Sequence, residues 1–162
     1  MLDAAKELAI REALGAKVQG VTGYVFVRRP LIDSEQDWTE LLGKENIDGE
    51  LELKLCTVDL VNFVDSQTDG CDDDPLVTLS YQVHLFQEYK EKRSNDSNST
   101  DDFIALVLGL RNSFLQGDRD VAGVTNAEYV PVIQSSSILL DEDPLTGAFG
   151  HFTDLLIKVT VL

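Results

Sequence analysis

The eighteen residues LTGAFGHFTDLLIKVTVL, at 145–162, decide how this chain folds. Leu155, Ile157, Val159 and Val161 alternate with Leu156, Lys158, Thr160 and Leu162, a period of two that belongs to a pleated strand with one buried face. Chain ends are usually polar and frayed, because nothing ties them down. A strand this apolar at 155–162 either lies inside a sheet or sits at an edge that another chain covers.

Working outward, the cleanest alternation elsewhere follows Pro75. Val77, Leu79, Tyr81, Val83 and Leu85 interleave with Thr78, Ser80, Gln82 and His84, which predicts a strand with one core face and one wet or polar face. Before it, Leu51, Leu53 and Leu55 alternate with Glu52, Lys54 and Cys56. The apolar register then moves to Val58 and Leu60, which predicts a bent strand with a bulge near Cys56 or Thr57. Residues 24–27 read as a strand ended by Arg28, Arg29 and Pro30, and 129–140 as another with Pro131 near its start.

Three helices are expected. Residues 3–14 place Leu2, Ala5, Leu8, Ala9 and Ala13 near one face, with Gly15 as the stop. Residues 33–43 form a short helix with Trp38, Leu41 and Leu42 inward. The strongest opens at Thr100 or Asp101 and stops at Gly117; Phe103, Leu106, Val107, Leu110 and Phe114 make one stripe, and Ile104, Leu108 and Leu115 a second. Leaving the second stripe wet would cost several kcal/mol, on the order of 25 cal/mol per Å² of apolar area, so the domain or a neighbour should cover it. The polar stretches DSQTDGCDDDP and YKEKRSNDSNSTDD are loops, and 90–100 is expected to be mobile until a partner orders it. The result is one α+β domain over 1–162, with a mostly antiparallel mixed sheet and helices packed on it.

At 162 residues and 43% hydrophobic, the chain can bury roughly 70% of its unfolded surface around one core. Its net charge of −16 repels polyanions, which excludes non-specific attraction to nucleic acid or anionic membrane. The acids cluster: seven fall at 33–50 with only Lys44 opposing, and six at 59–74 with none opposing. The charged residues scattered through MLDAAKELAIREALGA interrupt any signal peptide or membrane span, and two cysteines, Cys56 and Cys71, make no disulfide framework, so an intracellular, reducing setting is expected.

Residues for chemistry are few. His84 and His151 are the only histidines; neither has a base, acid or nucleophile beside it in sequence, so each reads as a hydrogen-bonded structural histidine replaceable by Gln. With Cys56 and Cys71 they lack the spacing of a zinc site. Asp69, Asp72, Asp73 and Asp74 offer hard oxygen ligands for Ca²⁺ or Mg²⁺ without the EF-hand spacing, so an acidic turn is the simpler reading. GAFG precedes a strand and no Lys follows it, so Gly147 and Gly150 read as turn glycines rather than a phosphate cradle.

Taken together, the N-terminal helix, the acid-rich bent strands, PLVTLSYQVHLFQEYKEKR, the polar loop, DDFIALVLGLRNSFL and the closing TGAFGHFTDLLIKVTVL resemble the tail-terminator, or tail-completion, proteins of long-tailed bacteriophages. The resemblance spans most of the chain and rests on the order of parts, not on a catalytic signature; the acidic segment 33–50 with Trp38 departs from it. It implies a non-enzymatic structural subunit of the virion neck, made in the host cytoplasm, that assembles as a homohexameric ring. Such a ring caps the tail tube, contacts the tail tube protein and the head-tail connector protein, and lets genomic DNA pass without specific binding. No cofactor, metal or membrane is implied. Candidate contact residues are Ile104, Leu108 and Leu115 on the second helical stripe, Lys158 and Thr160 on the less apolar face of the last strand, and Lys90, Lys92 and Arg93 in the polar loop. The competing readings are an acidic-patch or Ca²⁺-dependent binding module on residues 69–74 and a small hydrolase built on His84 or His151.

Overall fold

Among the described residues the apolar periodicities resolve into two helices against one face of a six-stranded mixed sheet that does not close into a barrel. The computed structural model describes residues 2–28, 44–45, 51–66, 76–89 and 99–161. In chain order the elements are α1 (Ala4–Thr22), β1 (Val25–Val27), β2 (Lys44–Glu45), β3 (Leu51–Glu52), β4 (Lys54–Ser66), β5 (Leu76–Glu88), α2 (Ser99–Gln116), β6 (Ala127–Ser135), β7 (Leu139–Glu142) and β8 (Phe149–Val161). The sheet runs β1-β4-β5-β8-β6, and β7 also pairs with β8. Among the described residues, only β1 with β4 is parallel within it.

The terminal strand is therefore interior. β5 pairs with β8 from Glu88↔Gly150 to Val77↔Val161, while β7 and then β6 occupy its other side. The strand also starts earlier than the alternation at 155 suggested, because Phe152, Thr153 and Asp154 continue the same pleat. Leu155, Ile157, Val159 and Val161 point to the helices and are at most 2% exposed. They meet Leu79, Tyr81 and Val83 from β5, Ile10, Leu14 and Val18 from α1, and Phe103, Val107, Leu110 and Phe114 from α2. The opposite face holds a smaller cluster of Leu53, Leu55, Phe86 and Phe152. Both faces of β5 are thus largely covered, and the face expected to be wet or covered by polar contacts carries buried Ser80 and His84.

Several boundaries move for physical reasons. α1 does not stop at Gly15: it runs to Thr22 and is capped by Gly23, whose φ of 73° only glycine adopts without strain. Gly15 lies inside because the Phe26 ring rests where a side chain would be, so packing offsets the cost of a mid-helix glycine, about 1 kcal/mol. The inward face is Ile10, Leu14 and Val18; Leu8, expected inward, is 49% exposed. The bulge in β4 falls at Val61, between Leu60↔Tyr81 and Asn62↔Ser80, and not near Cys56. Cys56 is a buried free thiol whose pKa burial raises to about 12. The stretch 129–140 is two strands, and the register slips between Tyr129↔Val159 and Ile133↔Ile157, which places Pro131 at the irregularity where a missing N–H is tolerated. The expected helix at 33–43, with Trp38, Leu41 and Leu42, lies outside the described residues.

Gly147 and Gly150 have different tasks. Gly147 takes φ 70° in the β7–β8 connection and serves the turn, as expected. Gly150 is no turn residue: it pairs within β8, and a methyl there would collide with the Gln87 carbonyl and the Phe86 ring. Gly150→Ala is expected to lower stability by about 3 kcal/mol, the upper end of overpacking costs. Gly147→Ala should lose about 1–2 kcal/mol from the left-handed backbone alone. Urea midpoints of the two variants check the order; a Gly150→Ala protein as stable as wild type would show that these strands can separate at this point.

Candidate functional site

The most unusual chemistry lies on the sheet face turned away from the helices. His84, central in β5, stands opposite Asp154 of β8 across the strand pair. Its Nδ1 lies 2.8 Å from Asp154 Oδ1, and its Nε2 lies 3.0 and 3.1 Å from the two carboxylate oxygens of Asp143. Asp143 is fully buried and belongs to the connection between β7 and β8. There the backbone N–H of Leu145 and the hydroxyl of Thr146 also donate to its carboxylate, and the Asp143 N–H donates to the Ala148 carbonyl. One imidazole ring therefore ties the turn before the last strand to the middle of the sheet.

The electrostatics follow from the two neighbours. Burial by itself would push the His84 pKa down; hydrogen bonds to Asp143 and Asp154, and then their charges, outweigh it and raise the pKa to about 9. Burial likewise pushes Asp154 up, and the His84 hydrogen bond, the Gln82 hydrogen bond and the His84 charge pull it below its ordinary value. With an acceptor at each nitrogen the ring carries both protons and is an imidazolium near neutrality. In that state it has no lone pair for general-base work. The arrangement is an ion triad, buried at His84 and Asp143 and half-buried at Asp154, that clamps β5, β8 and the β7–β8 turn.

Beside the triad, a shallow cleft of about 320 Å³ is lined by Gln82, Gln134, Ser136 and Asp154 among others. Ser136 is committed to the backbone: its Oγ accepts from the Asp154 N–H at 2.9 Å, and its own N–H donates to the Asp154 carbonyl. His151 lies on the other side of the sheet, buried and stacked on Phe103 at 5.6 Å between ring centroids, with Tyr89 edge-on. The two histidines, three positions apart along β5 and β8 counted through Gln87↔His151, thus face opposite ways and share no site. Among the described residues no group of three or more His, Cys, Asp or Glu side chains could hold a metal ion.

The expected contact residues that the structure describes lie on α2 and on the sheet face away from it. On α2, Leu108 is 51% exposed while Ile104 and Leu115 are half-buried, so the second stripe is partly covered by the domain itself. Lys158 and Thr160 are half-buried on the face away from α1 and α2, across from Ser80 and Thr78. Lys90, Lys92 and Arg93, and the acids at 69–74 with Cys71, lie outside the described residues. Of the loop expected to be mobile at 90–100, Ser99 and Thr100 already belong to α2. Asp143 and Asp154 were not singled out from sequence, since Asp143 reads as part of an acidic turn and Asp154 falls just before the apolar alternation.

A different feature is legible at the sheet edges. Among the described residues, the outer side of β4 is paired only at Leu55, Cys56 and Thr57, by β1. Beyond the pairing, Leu60, Val61, Phe63 and Val64 are 37%, 47%, 62% and 58% exposed. On the far edge Val132, Leu139 and Leu140 are 56%, 45% and 44% exposed. No helix among the described residues is long and apolar enough to cross a membrane. No protein-family model matches the chain, and no curated protein is significantly similar to it in sequence.

Proposed function

We propose that this chain is a structural subunit of a phage virion, a tail terminator that assembles as a ring, caps the tail tube and joins it to the head connector. The observation that carries the reading is the exposed apolar run on β4: in a chain of net charge −16, Leu60, Val61, Phe63 and Val64 remain in solvent on a strand edge that no described residue pairs. Monomeric proteins blunt such edges with Lys, Pro or cover, whereas subunits of an assembly keep them for a neighbour. The α+β order of elements agrees with the resemblance read from sequence, and agreement of fold alone carries no function. The strong negative charge suits a passage through which DNA slides without sticking.

The test is electron microscopy of particles from the parent phage with this gene disrupted. Tails of uncontrolled length and unjoined heads are expected, with both defects corrected by supplying the chain. Tubes of normal length joined to heads would overturn the proposal. A second expectation concerns His84 and His151: since neither is given a reacting role, His151→Gln should leave particle assembly within about twofold of wild type, and loss of infectivity by a folded variant would count against a purely structural subunit.

A further inference from the structure

We infer that the ring is closed by head-to-tail contact of the two sheet edges, the outer side of β4 beyond Val58 of one copy meeting β7 and Val132 of the next copy of this chain. The inference rests on the ring reading above and names its surfaces. The two edges belong to opposite ends of one sheet, because β1 and β4 lie on one side of β5 while β8, β6 and β7 lie on the other. At the far edge, the N-terminal part of β6 is already covered: Val121 and Tyr129 N–H groups bond to Ala127 and Arg119 carbonyls, and Asp120 bridges Glu128. Among the described residues, what remains open there is the run from Val130 through β7, where Leu139, Leu140 and Val132 are exposed.

Area separates the possible contacts. The four β4 side chains expose roughly 350 Å² and the three on the far edge roughly 250 Å², divided between the two faces of the sheet so that each set flanks its edge. One contact covering both patches, with the usual share of polar surface, removes roughly 1,000 Å² or more from water, the lower bound for a specific interface. A two-fold contact of β4 with β4 would leave Leu139, Leu140 and Val132 wet. Head-to-tail contact uses both patches at once and, repeated, generates a ring. It also brings Asp59 and Asp65 toward Asp141 and Glu142, so salt should strengthen the association by screening that repulsion.

The experiment uses the full chain with Cys71→Ser, plus Val61→Cys and Leu140→Cys separately and together, oxidised with oxidised glutathione and run without reductant. Both positions are exposed, so thermal unfolding should match wild type and serves as the folding control. The double variant is expected to give a ladder of linked chains, each single variant none, and light scattering of the unmodified chain should show association rising about tenfold or more from about 0.05 M to about 1 M NaCl. Efficient linkage through Val61→Cys alone would establish two-fold pairing and overturn the inference. Oligomers that never link in the double variant would also overturn it while leaving the ring reading intact. A chain that stays monomeric at every salt concentration overturns the edge contact, and the tail-length experiment then decides the ring reading by itself.

Discussion

A chain that ends at Asp154 is expected not to fold. Losing 155–162 removes Leu155, Ile157, Val159 and Val161, each nearly or fully buried, at roughly 1.5–3 kcal/mol per side chain. Together they rival the entire stability of a domain, roughly 5–15 kcal/mol. Position makes the loss worse than the side chains alone suggest. β8 lies between β5 and β6, so losing its last part leaves β6 without its partner in the sheet and opens the edge of β5 from Val77 to Val83. Phe103, Val107 and Phe114 of α2 then face a missing floor. Far-ultraviolet circular dichroism and a urea titration would read the result as loss of the cooperative transition. In contrast, Lys158→Glu and Thr160→Asp change the face away from α1 and α2, where both residues are half-buried, and should shift stability by no more than about 1 kcal/mol. A truncated chain with a cooperative transition near that of wild type would mean that β6 and β5 can close on each other without β8.

How much of this was legible in the sequence depends on what sets each feature. The period-two runs at 77–85 and 155–161 and the apolar stripe of Phe103, Val107, Leu110 and Phe114 report burial directly, and they recovered the strands and the helix that build the core. Pairing order is another matter: nothing in the alternation of β8 says that β5 is on one side and β6 on the other, so the interior place of the last strand was only one of two expectations. α1 was misread because Gly15 looks like a stop until Phe26, eleven positions on, is known to lie against it. The ion triad was hidden for the same reason. Its members are 84, 143 and 154, and only the register His84↔Asp154 and the fold of the Asp143 turn bring them together. The two open edges were equally out of reach, since β4 looked finished near Leu60 while the strand continues through Val61 and Phe63 to Ser66.

That triad makes His84 the side chain whose single replacement should cost most, contrary to the reading that treated it as exchangeable for Gln. Gln can offer its amide to one carboxylate but carries no charge, so His84→Gln leaves Asp143 fully buried without its cation. Breaking one partner of a buried ion pair typically costs about 3–5 kcal/mol. Adding Asp143→Asn should recover part of that loss, because the buried charge then disappears too, and the double variant should be more stable than the sum of the single losses predicts. The pH dependence has a definite sign. The folded-state pKa, about 9, lies above the ordinary 6.5, so the contribution of His84 is complete below pH 6.5 and is lost as pH rises through 9. The full swing is on the order of 3 kcal/mol. Asp154 acts on the other side: held below its ordinary 3.8, it contributes above that value and is lost as pH falls through its lower folded-state pKa. Stability should therefore peak between about pH 4 and 6.5 and decline between 6.5 and 9, and in His84→Gln the alkaline decline should flatten while the overall level drops. Urea midpoints at intervals across that range measure both. If wild type and His84→Gln fall with the same slope from pH 6.5 to 9, the imidazolium is not what holds the β7–β8 turn to the sheet.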